Sequence, residues 1–147
     1  MVNLFIFLHV ITAILFIGTI CIATSAFPAQ LPKAAAGDAS AQGAASILNR
    51  ITTSYGYISA IVPVLGVGVF LMDLNTYKSE VQFHIALLLS VIAWCVLFFL
   101  VIPKQNKAMA ALAGAESADV PALKKKLGMF SGIFNLLWMI CAILMFV

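Results

Sequence analysis

The sequence predicts an all-α membrane protein in which four transmembrane helices form one bundle, with both termini on the outer side. Hydrophobic residues make up 64% of the 147 residues and charged residues only 9%, whereas soluble domains are about half apolar and about a quarter charged. Four apolar runs each have about the 20 residues that a helix needs to cross the hydrocarbon. Lysine and arginine fall almost entirely on alternate connections. We expect the whole chain, 1–147, to be one domain.

The first run covers residues 3–27 and contains one ionisable residue, His9. A signal peptide is the alternative, since Ala23-Thr24-Ser25-Ala26 resembles a small-residue cleavage site. No lysine or arginine precedes the run, however, and it is longer than the apolar segment of a signal peptide. We therefore expect a retained transmembrane helix. Pro28 and Pro32 are expected to end it, because proline lacks the backbone N–H that a helix interior requires.

Three further runs predict helices over residues 53–74, 83–102 and 127–147. A backbone that spans lipid must satisfy its own hydrogen bonds, so these runs form helices rather than strands. Pro63 is expected to kink the second helix. The connection over residues 28–50 is rich in alanine, glycine and serine, which favours a flexible loop or a short surface helix. Residues 75–82 are a tight turn, and residues 103–126 are the longest charged connection.

Positive charge sets the expected orientation, because cytoplasmic connections carry an excess of lysine and arginine. The connections 28–50 and 103–126 hold Lys33, Arg50, Lys104, Lys107, Lys124, Lys125 and Lys126. The turn over 75–82 holds only Lys78. We therefore expect the two charged connections to be cytoplasmic in the plasma (inner) membrane, with both termini outside. The run Lys124, Lys125 and Lys126 is interpreted as a topology determinant that also attracts anionic lipid.

The candidate helix-packing residues are glycines and one amide, because helices in lipid associate through close backbone approach and interhelical hydrogen bonds. The last helix carries Gly128-xxx-Gly132, and its face is expected to continue to Asn135. Asn135 lies well inside the bilayer, so we expect it to bond to a neighbouring helix. Gly66 and Gly68 are the corresponding residues of the second helix. These faces can serve either the bundle itself or a larger partner.

The ionisable residues are expected to gather at the outer end of the bundle. His9 lies about two turns into the first helix, and Asp73, Glu80 and His84 lie at or near the 75–82 turn. An ionisable group at membrane depth is costly and often functional, so His9 is the candidate binding residue. It could be a haem or metal ligand, with His84 or a methionine as the second ligand. It could take part in proton or quinone chemistry. It could also be neutral and bonded to Thr12 or to a backbone carbonyl of another helix.

Several other function classes lack their sequence features. There is no phosphate-binding glycine loop, no paired-carboxylate site and no nucleophile–base pair. The basic cluster has no interleaved aromatic residues, so nucleic-acid binding is not predicted. Cys21, Cys95 and Cys141 lie in separate apolar runs without metal-ligand spacing. No charged residue lies at the centre of a run, which argues against a proton-coupled transporter. We do not expect an enzyme.

Leu8-His9-Val10, followed by Ala13-Ile14-Leu15 and Gly18, resembles the opening helix of a family of small bacterial four-helix integral membrane proteins of unknown function. Ile102-Pro103-Lys104-Gln105, at the end of the third helix, adds to the likeness. That family is in turn similar to copper-resistance D-type membrane domains and to the haem-binding protoporphyrinogen oxidases of membranes. In the oxidase branch a first-helix histidine is a haem ligand, so the resemblance implies a ligand role for His9.

The small size and Ala-rich loops also resemble actinobacterial accessory membrane subunits, which associate with the respiratory cytochrome bcc–oxidase supercomplex. That resemblance implies a non-catalytic accessory or scaffold subunit that needs no cofactor. Its expected partners are other integral membrane subunits and membrane lipids, including anionic lipid. The alternative function is a haem- or copper-binding membrane protein that uses His9, with His84 as the candidate second ligand.

Overall fold

The structure is a computed structural model that describes residues 2–146. Its four long helices are α1 (Val2–Ala35), α2 (Ala39–Met72), α3 (Val81–Leu112) and α4 (Val120–Leu144). One further turn of helix, Leu74–Tyr77, lies between α2 and α3. The described residues are 88% helical and contain no strand. All four long helices are long and apolar enough to cross a membrane, which confirms the predicted all-α architecture and is the arrangement expected of a multi-pass membrane protein.

The helices are longer than predicted, and the connections are correspondingly short. At 34 residues each, α1 and α2 are about 51 Å long and extend well beyond a hydrocarbon core of about 30 Å. The Ala-rich stretch, for which a flexible loop or a short surface helix was expected, is mostly helix, and only residues 36–38 connect α1 to α2. Gly37 makes the turn with a positive φ of 94°, and Asp38 caps α2 by accepting hydrogen bonds from the backbone N–H groups of Ser40 and Ala41.

The prediction that Pro28 and Pro32 end the first helix is wrong, since both lie inside α1. Pro28 has no N–H to donate to the carbonyl of Thr24, four residues earlier. The hydroxyl of Ser131 in α4 donates to that carbonyl instead, at 2.9 Å. Such re-satisfaction by a neighbouring helix is what allows proline inside a membrane helix. The same contact ties α1 to α4.

A break in α2 lies one turn before Pro63, at Ser59 and Ala60. Because Pro63 cannot donate to the carbonyl of Ser59, the backbone N–H of Val62 donates there at 2.9 Å. The buried hydroxyl of Ser59 donates to the carbonyl of Gly56 at 2.6 Å. The expected irregularity is therefore present, and it divides α2 into Ala39–Ile58 and Ile61–Met72.

The four helices pack as two antiparallel hairpins, α1 with α2 and α3 with α4, joined mainly by contacts between α1 and α4. Single π-helical segments interrupt α1 at Ala13–Ile17 and α3 at Val96–Val101. The fully buried large apolar residues of the main core cluster are Ile20, Phe27, Leu31, Leu97, Val101, Leu127 and Phe134. Most of them lie in the half of the bundle that leads to Lys104, Lys107 and Lys124–Lys126, which we call the basic end.

The half of the bundle that holds the N-terminus is packed more loosely. The first segment of α1, Val2–Thr12, has no buried residue. The segment Ile61–Met72 of α2, which packs against it, buries only Val62. A bundle with a compact basic end and a loose opposite half leaves polar groups in the loose half open to a ligand or partner.

Candidate functional site

His9 lies in the loose half, between α1 and α2. Its ring nitrogen Nδ1 is 2.8 Å from the backbone carbonyl oxygen of Val62. The ring also lies against Gly66, where a Cβ atom would be only 2.9 Å from the His9 Cε1 atom. Gly66 therefore provides the space that the ring occupies. Of the three interpretations of His9, the structure contains the bond to a backbone carbonyl of another helix.

The contact with Val62 determines which nitrogen of His9 carries the proton. A carbonyl oxygen only accepts hydrogen bonds, so Nδ1 must be the N–H donor. In the neutral ring Nε2 then has a free lone pair, and no residue from 2 to 146 bonds to it. An Nδ1–H bonded to a backbone carbonyl is also the usual way in which proteins orient a histidine whose Nε2 binds a metal.

The other ionisable residues of the predicted cluster make local contacts of their own. His84 is exposed, its Nδ1 is 3.2 Å from the carbonyl oxygen of Glu80, and its ring meets Phe70 edge-on at 5.3 Å. Asp73 accepts a hydrogen bond from the N–H of Thr76 at 3.3 Å. Among residues 2–146, no three His, Cys, Asp or Glu side chains lie close enough together to hold a metal ion.

The predicted packing glycines divide into two groups. Gly66 and Gly68 both lie at the contact of α2 with α1, since a Cβ atom on Gly68 would be 3.3 Å from the ring of Phe5. A Cβ atom on Gly128 or Gly132, by contrast, meets nothing within 4 Å. Both residues are exposed on the outside of the bundle. The two glycines of α4 therefore take no part in the packing of the bundle itself, whereas Gly66 and Gly68 do.

Asn135 supplies the polar contact between α4 and α1. Its Nδ2 donates to the hydroxyl of Ser25 at 2.7 Å, and its Oδ1 is buried without a hydrogen-bond partner in the described chain. The two residues, with Cys21, Ile22 and Ala26, line a cavity of about 510 Å³ at the surface, the α1–α4 groove. Gly132 lies one turn before Asn135 on α4. A polar groove beside two outward glycines is thus open to a neighbouring molecule.

The lysines of the predicted topology run lie in the first two turns of α4. Lys124, Lys125 and Lys126 are all exposed. Lys104 of α3 lies over the ring of Phe130 of α4, with its Nζ 4.9 Å from the ring centroid, a distance at which an ammonium is attracted by the ring. Positive charge from two helices therefore meets at the basic end.

Two polar features of the core were missed by the sequence analysis. The first is the hydrogen bond from Ser131 to the carbonyl of Thr24. Pro28, four residues after Thr24, is the sequence feature that indicates a free carbonyl there. The second is Gln105, which is fully buried with no partner for either amide atom in residues 2–146. Gln105 lies in the stretch 104–113 that could continue the third helix, and α3 does continue through it to Leu112. No pattern in the sequence indicates that burial.

Comparison with protein-family models, with curated proteins and with solved structures finds no match to this chain.

Proposed function

We propose that the chain is a non-catalytic accessory or scaffold subunit of a larger membrane complex. The observation that carries the proposal is the open face of α4 at Gly128 and Gly132, which nothing in the bundle covers. Small residues let two helix backbones approach closely, and the van der Waals packing of such an approach is one of the forces that associate helices in lipid. A spacing of four residues places both glycines on one side of the helix.

The α1–α4 groove is a second reason to expect a partner at the glycine face of α4. Ser25 is exposed, and Asn135 lies beside it in the groove. Polar side chains at membrane depth are usually turned toward protein, because lipid tails cannot hydrogen-bond to them. A partner helix that covers Gly132 also covers the mouth of this groove. The respiratory cytochrome bcc–oxidase supercomplex is the proposed partner, on the resemblance to actinobacterial accessory subunits.

The proposed orientation has the basic end in the cytoplasm and both termini outside. Seven of the eight Lys and Arg residues lie in the 28–50 and 103–126 segments, and Lys78 lies at the other end. The excess of lysine and arginine is a cytoplasmic feature in membrane proteins. This orientation places the groove of Asn135 within the membrane and His9 nearer to the outer surface.

The test is to tag the C-terminus, solubilise membranes in a mild detergent, and determine the mass and composition of the particle. We expect a large stoichiometric complex that contains cytochromes. Gly132→Leu is expected to remove the chain from that complex without lowering its own thermal stability, because a Cβ atom at this position enters open space. The matched control is Gly43→Leu, which also enters open space but lies far from this face.

Two results would contradict the proposal. One is a wild-type particle that contains this chain alone. The other is a complex that survives Gly132→Leu as well as it survives Gly43→Leu.

The alternative function, a haem- or copper-binding membrane protein, is favoured by the free Nε2 of His9. Axial ligation of haem requires a single neutral imidazole nitrogen of this kind. Copper usually has two or more nitrogen or sulfur ligands, and His84 is engaged elsewhere, with Glu80 and Phe70. The haem form of the alternative therefore fits the residues better than the copper form. Bound haem would supply redox chemistry, and the role of this chain would be to hold the His9 ring through Val62 and Gly66.

The visible spectrum and metal content of the purified chain test this alternative. Loss of a Soret band in His9→Ala, with unchanged helix content by circular dichroism, would establish it. His84→Ala is the control and is expected to keep the band. A wild-type chain without a Soret band or bound copper would exclude it, and the accessory-subunit proposal would be unaffected.

A further inference from the structure

A second cavity, of about 200 Å³, lies at the basic end between the end of α3 and the start of α4. Lys107 of α3 and Lys126 of α4 stand on its walls, together with Ser117 and Asp119 of the loop that joins the two helices. We propose that this cavity binds the phosphate group of an anionic phospholipid. This site is distinct from the α1–α4 groove and does not depend on the proposed partner complex.

The depth of the cavity fits a lipid headgroup. No Asp, Glu, Lys or Arg occurs in α3 before Lys104, and none occurs after Lys126 to the end of the chain. Lys104 is thus the first charged residue after the apolar run of α3, and Lys126 is the last one before the apolar run of α4. In a bilayer such residues lie at the boundary between hydrocarbon and headgroups. Lys107 is one turn farther out, at the level of the phosphate.

The charges at the cavity favour an anion. Lys107 and Lys126 have no carboxylate within 4 Å in the part of the chain that the structure describes. Lys104 adds a third positive charge close by, over the ring of Phe130. Asp119 is the only acidic residue on the walls, and its Oδ1 already accepts a hydrogen bond from the N–H of Ala122 at 3.0 Å. The exposed hydroxyl of Ser117 is an additional donor.

The surface below the cavity fits an acyl chain, which favours a lipid over free phosphate. Met129 and Ile133 follow Lys126 at three and seven residues along α4, so all three lie on one side of the helix. Met129 is 53% exposed and Ile133 is 40% exposed. A lipid whose phosphate contacts Lys126 can therefore lay its chain along an apolar strip of the same helix.

The site differs from a diffuse attraction of the membrane to the lysine run. Lys124 and Lys125 precede Lys126 directly, but neither lines the cavity. A bilayer surface attracts all three lysines about equally, whereas a cavity that binds one phosphate distinguishes Lys126 from its two neighbours. That difference provides the matched control.

The experiment measures binding of dioleoyl phosphatidylglycerol to the full chain in a neutral detergent by native mass spectrometry. Lys107→Gln/Lys126→Gln is expected to weaken binding about 30-fold, from about 1 kcal/mol for each lysine. Lys124→Gln/Lys125→Gln removes the same charge from the same region and is expected to change binding less than threefold. Asp119→Asn keeps an N-cap side chain and is expected to tighten binding severalfold, since it removes the one negative charge at the cavity.

Inorganic phosphate at millimolar concentration distinguishes the two sources of the anion. If it displaces the lipid, the cavity is a phosphate site that also accepts free phosphate. If it does not, the acyl contacts are part of the site, as proposed. Unchanged lipid binding in Lys107→Gln/Lys126→Gln would overturn the proposal, and so would an equal loss in the two double variants. The thermal midpoint of each variant without lipid shows that its fold is intact.

Discussion

Replacing Phe27 with alanine is expected to lower the free energy of unfolding by about 2–4 kcal/mol. Phe27 has no exposed surface and lies in the main core cluster at the basic end. In lipid the loss comes mainly from the cavity and its missing contacts, because an unfolded helix keeps its phenylalanine in an apolar solvent. The measurement is reversible unfolding in mixed neutral detergent and dodecyl sulfate, followed by circular dichroism.

Phe7→Ala is the matched control, since Phe7 lies on the same helix but is 61% exposed. It removes the same atoms and opens no internal cavity, so we expect a change below about 0.5 kcal/mol. Equal losses in Phe27→Ala and Phe7→Ala would contradict the compact basic end described above.

Gly66→Ala is expected to destabilise the chain by about 1–3 kcal/mol, because the new Cβ atom would lie 2.9 Å from the His9 Cε1 atom. The ring must move, and its bond from Nδ1 to the carbonyl of Val62 is then lengthened or lost. The Gly→Ala change by itself favours a helix by up to about 1 kcal/mol. In Gly132→Ala the new Cβ atom enters open space, so this variant has the gain in helix propensity without the clash. It is the reference for the measurement.

A double variant separates the clash from other effects of Gly66→Ala. In the His9→Ala background the ring is absent, so adding Gly66→Ala is expected to cost nothing relative to Gly132→Ala. The difference between the two backgrounds is the coupling energy of His9 and Gly66. A coupling energy near zero would mean that the ring does not lie on Gly66.

The ends of the helices depend on contacts between residues that are distant in the sequence. Apolar length predicted four helices correctly, since each run needs only its own residues to be long enough for a bilayer. The predicted end of α1 was wrong because Pro28 leaves the carbonyl of Thr24 without its helical donor. The helix can continue only if another group donates to that carbonyl. That donor, Ser131, is 107 residues away. For the Ala-rich stretch a loop and a surface helix were both open, and burial of Ala41 and Ala45 in the bundle favours the helix.

The sequence indicated His9 as the candidate binding residue, but it indicated only part of the geometry around the ring. His9 was singled out because it is an ionisable residue in an apolar run, and the possibility of a bond to a carbonyl of another helix was left open beside a ligand role. The identity of Val62 as the partner, and the free Nε2 that follows, required the packing of α1 on α2. The expected gathering of His84 with His9 stays a prediction, and the contacts of His84 in the structure are with Glu80 and Phe70.

The sequence by itself determined the number of membrane-length helices and the asymmetry of positive charge, because both depend on composition along the chain. Only the tertiary structure decided which face of each helix packs inside the bundle. Gly66 and Gly132 are both glycines within apolar helices, yet one lies under the ring of His9 and a Cβ atom on the other meets nothing within 4 Å. A helix in lipid is apolar on every side, so its sequence carries no amphipathic signal of the buried face. That choice is made by the contacts with its neighbours.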